Sequence, residues 1–223
     1  MSETKFKFPT EEVELPSKGL LYPEGHPLKS GKIEMKYMTA REEDILTNQN
    51  YIAKGIVLDK LLQSLIITDV KLEDLFIGDK NAILIASRIL GYGKDYQIQY
   101  NGQLHTVDLS LLENKKIDEK LFIGGKNEFD WTLPHSGTKL TFRLLTDGLD
   151  KEIDAEIKGI QKINKGASPE ISTRMKYLIT SVEGDTSGKT VRDFVDTYLL
   201  ARDAKALRDH IIKMQPDIEL KTQ

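Results

Sequence analysis

The sequence predicts an α+β fold, mainly helical, with a short mixed β-sheet and a protruding β-hairpin. Three observations lead there. Apolar residues recur at helical spacing over several long segments, period-two alternation marks a few short ones, and an Asn101-Gly102 pair sits between two alternating runs. With 223 residues the chain is long enough to bury a proper core in one large or two small domains.

The first 30 residues carry Pro9, Pro16, Pro23 and Pro27, which forbid a helix and favour extended backbone. Val13, Leu15, Leu20, Leu21 and Tyr22 give this stretch apolar anchors, so residues 1–30 are expected to form an extended docking arm lying across a neighbouring subunit. A unit over 31–112 follows. Gly31 to Met38 alternates Ile33, Met35 and Tyr37 against polar neighbours and predicts a half-buried strand. Thr39 and Glu42 form a capping box that starts a helix at Ala40. Ala53 to Ile67 predicts a second helix on Ile56, Val57, Leu58, Leu61, Leu62 and Leu65, and Lys80 to Leu90 a third, ended by Gly91 and Gly93. Asp95–Tyr100 and Gln103–Leu109 flank Asn101-Gly102, the pair that favours a type I′ turn, and predict the hairpin.

The Lys-rich and Gly-rich stretch 113–127 reads as a connector to a second unit over 128–223. There Glu128–Leu133 and Lys139–Thr146 are expected as strands, joining the strand near 32–38 in one mixed sheet. Leu149–Asn164 predicts an amphipathic helix on Ile153, Ile157, Ile160 and Ile163. Ser168-Pro169-Glu170 is expected to cap another that runs through Ile171, Met175, Leu178, Ile179 and Val182. Further helices are predicted to open at Thr190 and Ala201. Pro216 ends the run, and Asp217 to Lys221 is expected to return as a short edge strand.

Chemistry is sparse. No cysteine is present, which removes disulfides, thiolate metal sites and cysteine nucleophiles. His26, His105, His135 and His210 stand far apart with no ligand spacing, so no metal is expected. The Gly184–Thr190 string, GDTSGKT, ends like a phosphate loop. Its glycines enclose three residues where a Walker loop needs four, and Asp185 lies where phosphate oxygens would sit; a nucleotide-binding enzyme is therefore the remote alternative. Asp147, Asp150, Glu152, Asp154 and Glu156 lie on the polar face of the 149–164 helix and read as solvated rather than catalytic. Trp131 and Phe129 are expected to fill a core. Arg202 and Arg208 are candidate partner anchors, because Arg is enriched at interface hot spots. With 32 basic against 35 acidic residues there is no electrostatic footprint for nucleic acid, the Lys115, Lys116, Lys120 and Lys126 group being the one candidate stripe. Apolar stretches are too short to span a bilayer, and MSETKFKFPTEE has neither the basic nor the apolar region of a secretory signal, so a cytosolic origin is expected.

Three strings together carry a resemblance: LPSKGLLYPEGHPLKSGKIEMKYMTAREEDIL, LFIGDKNAILIASRILGYGKDY, and GTKLTFRLLTDG with LLARDAKALRDHIIKMQPDIEL. Over almost the whole chain the sequence resembles the T4-type bacteriophage baseplate hub protein family of contractile-tailed phages. The resemblance implies structural or assembly work at the baseplate hub by protein–protein binding, as a virion component or as a transient chaperone, with no enzymatic activity, no cofactor and no small-molecule substrate. The implied partners are other hub and tail proteins, self-association in the baseplate being left open, and the implied location is the virion tail after synthesis in the host cytoplasm. Relatives are expected to carry a cysteine pair, ribbon-like, near the hairpin. This chain has Gln99-Tyr-Asn-Gly-Gln103 there, so its hairpin is expected to close without metal.

Overall fold

The computed structural model describes residues 9–166 and 168–220. The fold is α+β, 48% helical and 19% strand, so helix dominates as the spacing predicts. Its contacts divide the chain into two units, the first from residues up to Leu72, Gly78–Lys116 and the C-terminal stretch from Pro216, the second from Glu73–Ile77 and Ile117–Gln215. Boundaries expected at 30, 112 and 127 therefore differ from those observed.

In the first unit β1 (Thr10–Glu14) pairs antiparallel with β2 (Lys32–Lys36), Val13 opposite Ile33. Ile33 and Met35 of β2 are buried while their neighbours are not, the pattern the alternation demands. The other edge of β2 is closed by Ile67, whose N–H donates to the Glu34 carbonyl at 2.9 Å. α1 (Ala40–Leu46) starts at Thr39 as predicted. The expected Ala53–Ile67 helix is two helices, α2 (Gln49–Ala53) and α3 (Val57–Leu65), because Gly55 takes φ +69° and breaks the run. α4 (Ile77–Tyr92) extends past both predicted ends, with Gly91 inside it against Met38 and Gly93 terminating it at φ +82°. β3 (Asp95–Tyr100) and β4 (Gln103–Asp108) then form the predicted hairpin around Asn101 at φ 50° and Gly102 at φ 77°.

The docking-arm expectation is corrected for the described residues of 1–30; residues 1–8 lie outside the described structure. Leu15, Leu21, Tyr22 and Leu28 are each at most 2% exposed and belong to the core of the first unit. The Asp79 carboxylate of α4, fully buried, accepts from the Ser17 N–H at 2.9 Å and from the Tyr22 hydroxyl at 2.8 Å, pinning the loop to the helix. Burial pushes the Asp79 carboxyl above its usual pKa, more than these hydrogen bonds pull it down. Gly19 and Gly31 let the loop fold back on itself: a Cβ on Gly19 would lie 2.2 Å from the Lys29 carbonyl oxygen, and one on Gly31 2.6 Å from the Lys18 carbonyl carbon. The C-terminal stretch also joins this unit, without forming a regular strand. Lys115 N–H donates to the Asp217 carbonyl and Glu219 N–H to the Glu113 carbonyl, each at 2.8 Å, and Lys221 lies outside the described residues.

In the second unit β5 (Phe129–Thr132), β6 (Lys139–Phe142) and β7 (Ile179–Val182) form an antiparallel sheet in the order β5-β6-β7. Among the described residues the three sheets are antiparallel and separate, so the single mixed sheet is replaced by small antiparallel ones. α5 (Asp147–Ile163) is capped by Thr146. α6 (Glu170–Leu178) stops where a continuing helix was expected, and Ile179–Val182 is β7, which adds to the β6 edge. α7 (Gly188–Asp193) runs into a π turn at Phe194–Tyr198, and α8 (Ala201–Met214) ends before Pro216. The core holds Leu133, Leu140, Phe142, Ile153, Met175, Ile179 and Leu207, all at most 3% exposed. Asp203 of α8, fully buried, accepts from the His135 and Ser136 N–H groups at 2.9 and 3.0 Å and so fixes the β5–β6 turn. Burial raises its carboxyl pKa, but these hydrogen bonds outweigh that and hold it low.

Candidate interaction surface

The arrangement that stands out is the β3–β4 hairpin, because most of its residues lie exposed. Every residue of β3 is exposed, as are the first four of β4. The register Asp95↔Asp108 through Tyr100↔Gln103 places Tyr96, Ile98, Tyr100, Gln103, His105 and Val107 on one face, and Gln97, Gln99, Leu104 and Thr106 with the two aspartates on the other. The first face is aromatic and aliphatic, yet Tyr96 is 45% exposed, Ile98 37% and Tyr100 64%. The rings of Tyr100 and His105 meet edge-on at 6.3 Å.

The root of the hairpin is fastened where the tip is not. Arg88 of α4 lies over the Tyr92 and Tyr96 rings at 5.0 and 5.7 Å, and donates to the Gly93 carbonyl at 3.0 Å and to the Asp95 carbonyl at 3.4 Å. Lys94 pairs with Asp108 at 2.7 Å. The hydrogen bond from Lys94, with help from Ser110, pulls the Asp108 carboxyl down to about 2, and the same contact raises the Lys94 pKa. Tyr92, itself 49% exposed, therefore continues the aromatic strip from helix to strand. Two-stranded hairpins of this length are marginal in water unless a face is covered.

The residues singled out from sequence fall elsewhere. Val13 and Leu20 are half-buried, while Leu15, Leu21 and Tyr22 are core, so this set is spent inside the first unit and is corrected as a docking surface. Arg202 is exposed on the first turn of α8; Arg208 is half-buried and its Nε donates to the Ala204 carbonyl of its own helix at 3.3 Å. Both arginines belong to the second unit and the hairpin to the first. Trp131, expected in a core, is half-buried and stacks on His210 at 4.7 Å.

The other chemical candidates are occupied by their own neighbours. In the 184–190 loop the Asp185 carboxylate accepts from the Ser187 N–H at 2.8 Å and from the Thr190 hydroxyl at 2.6 Å; the hydrogen bond from Thr190, then that from the Ser187 amide, hold it below its usual pKa. Ser187, rather than Thr190, caps α7. A carboxylate built into the loop thus takes donors that a phosphate would need. The α5 acids face α6: Asp150 pairs with Arg174 at 2.6 Å and Glu156 accepts from the Tyr177 hydroxyl at 2.9 Å. Among the described residues no group of three or more His, Asp or Glu could hold a metal ion, and no helix is long and apolar enough to cross a membrane.

Comparison of the chain with protein-family models, with curated proteins and with solved structures finds no match. The surface must therefore be read from its own geometry. Sequence reasoning found the hairpin strands but not their role, since alternation of Tyr96, Ile98 and Tyr100 with polar residues normally marks a face packed on a core.

Proposed function

We propose that the chain is a structural or assembly protein of a contractile phage tail baseplate hub, and that it works by binding other polypeptides. The family resemblance of its long sequence strings supports the biological setting. The observation that carries the binding role is the uncovered aromatic strip running from Tyr92 through Tyr96 and Ile98 to Tyr100. An exposed contiguous apolar patch is unfavourable unless a partner removes it from water, and Tyr-rich patches with an adjacent Arg have the composition of interface hot spots. The hairpin replaces the proline-spaced N-terminal stretch as the docking element. Virion component and transient chaperone are distinct forms of the same reading.

The test is mass spectrometry of purified particles and of assembly intermediates, with the chain tagged in an infected host. The expected result is the chain in fixed stoichiometry with hub or tail proteins. Presence in intermediates but not in finished particles assigns the chaperone form. A chain that is absent from both and elutes alone contradicts the proposal.

A further inference from the structure

The tip of the β3–β4 hairpin holds a carboxamide beside an open main-chain amide. Asn101 and Gly102 are both exposed, and both take left-handed backbone, at φ 50° and φ 77°. Among the described residues no hydrogen bond engages the Asn101 side chain or the Gly102 N–H. A Cβ built on Gly102 would meet nothing within 4 Å, so its amide is unshielded and open to water. The other asparagines lack this combination. Each of them precedes a residue that carries a side chain. Asn48, Asn81, Asn127 and Asn164 hold their side-chain amides in hydrogen bonds. Asn50 and Asn114 precede amides that are already engaged: Tyr51 N–H donates to the Asn48 carbonyl at 3.1 Å and Lys115 N–H to the Asp217 carbonyl at 2.8 Å.

We infer that Asn101 is a self-modification site, where the chain converts its own asparagine to aspartate or isoaspartate, and that opening of the hairpin turn sets the rate. The Gly102 N–H gives its proton to hydroxide, and the nitrogen attacks Asn101 Cγ. A Cγ–N bond forms, the Cγ–Nδ2 bond breaks, and ammonia leaves with a proton taken from water. Water then opens the cyclic imide at either carbonyl. Opening at Cγ restores the main chain with an aspartate side chain. Opening at the main-chain carbonyl carbon leaves isoaspartate, whose backbone is longer by a carbon. Asparagine and water become acid and ammonia, with no redox change.

The turn itself resists this closure. Left-handed backbone has ψ of about +47°, which swings the Gly102 nitrogen away from Asn101 Cβ, whereas the ring needs the two eclipsed. Asn101 must therefore leave its turn conformation before Gly102 can attack. Most residues of both strands are exposed, and a two-stranded ladder without a covering layer opens readily. Isoaspartate then lengthens a turn whose two-residue length sets the pairing of Tyr100 with Gln103. Conversion thus limits the lifetime of the ordered Tyr96, Ile98 and Tyr100 face. None of this chemistry depends on what the hairpin binds.

A cross-link beside the turn tests the gate. Leu109 N–H donates to the Lys94 carbonyl at 2.9 Å, which makes 94/109 a hydrogen-bonded pair and, by alternation, 99/104 a non-hydrogen-bonded one whose side chains lie close. Gln99→Cys with Leu104→Cys places a disulfide there, in a chain with no other cysteine. The full chain is incubated at pH 7 and pH 9, folded and in urea, and every asparagine is followed by peptide mapping for the mass gain of amide-to-acid conversion and by isoaspartate-specific methylation. Asn101 is expected to convert first, faster at pH 9, more slowly folded than in urea, and severalfold more slowly in the oxidised double variant than after its reduction. Tyr100 and Gln103 amides should lose exchange protection as isoaspartate accumulates but keep it in Asn101→Asp, which adds the charge without the extra carbon. Another asparagine converting ahead of Asn101, or an intact Asn101 in folded chain when the chain in urea has converted fully, overturns the site. Equal rates in folded and unfolded chain, or in oxidised and reduced double variant, overturn the gate.

Discussion

Replacing Glu42 by Gln tests how the first unit is held together, through the dependence of its stability on pH. The Glu42 carboxylate is fully buried and accepts from Ser64 Oγ at 2.7 Å, Thr39 Oγ1 at 2.5 Å, Thr39 N–H at 2.9 Å and Lys36 Nζ at 2.9 Å. Burial pushes its pKa up, but the hydrogen bonds from Ser64, Thr39 and Lys36 together outweigh burial and bring it from 4.5 to about 2. At about 1.4 kcal/mol per unit this is about 3 kcal/mol of stability. The folded pKa is depressed, so that stability is present in full above 4.5 and is lost as pH falls towards 2. Asp79 has the opposite slope: its folded pKa is raised, so its contribution is present below 3.8 and is lost as pH rises through the folded value. The two partly mask each other in the wild-type profile, and only the difference between wild type and Glu42→Gln isolates the first. Urea unfolding, followed through resolved amide signals of β2 and α3 between pH 7 and pH 2, should give a gap of about 3 kcal/mol at neutral pH that shrinks below about 1 kcal/mol at pH 2. A gap that stays constant across this range, or no gap at pH 7, would refute the assignment of Glu42 as an ionised buried acceptor.

Other substitutions probe other joints. Tyr22→Phe keeps the buried ring and removes one donor to Asp79, which should cost about 1.5–3 kcal/mol in urea unfolding. Deleting residues 1–25 should abolish cooperative unfolding of the first unit by circular dichroism, since it removes Leu15, Leu21 and Tyr22; a folded remainder would restore the detachable-arm expectation. Asp203→Ala should destabilise the second unit by about 2–4 kcal/mol and speed amide exchange at His135 and Ser136, its two hydrogen-bonded donors. Gly78→Ala would place a Cβ 1.9 Å from the Pro216 carbonyl oxygen, so the melting temperature should fall and the Lys115 amide, bonded to Asp217, should lose protection.

What could be read in the sequence was local. The Asn101-Gly102 turn needs left-handed backbone at both positions, which these residues tolerate, so the hairpin and its register follow from the dipeptide and its flanks. Thr39 and Glu42 lie three residues apart, and their helix start was equally legible. Ile179-Thr-Ser-Val182 misleads because Met175, Leu178, Ile179 and Val182 fit helical spacing; pairing with β6, invisible at that range, favours the strand that the three β-branched residues Ile179, Thr180 and Val182 already prefer. The fate of the N-terminal loop depended on Asp79, 62 residues beyond Ser17, and the β5–β6 turn on Asp203, 68 residues beyond His135. Pro and Gly content showed that the loop is not helical but not what it packs on. That the hairpin protrudes was expected from the sequence; that Tyr96, Ile98 and Tyr100 would stay exposed on it was not, because alternation alone does not say whether an apolar face is covered.

The most direct measurement of the central claim replaces Tyr96, Ile98 and Tyr100 together by Thr, a polar residue that keeps strand propensity. The stoichiometry of this variant in purified hub complexes is compared with wild type, with unfolding of both units measured on the same preparations. A folded chain that no longer enters the complexes is the predicted result; full incorporation of the triple variant would show that the strip is not where partners bind.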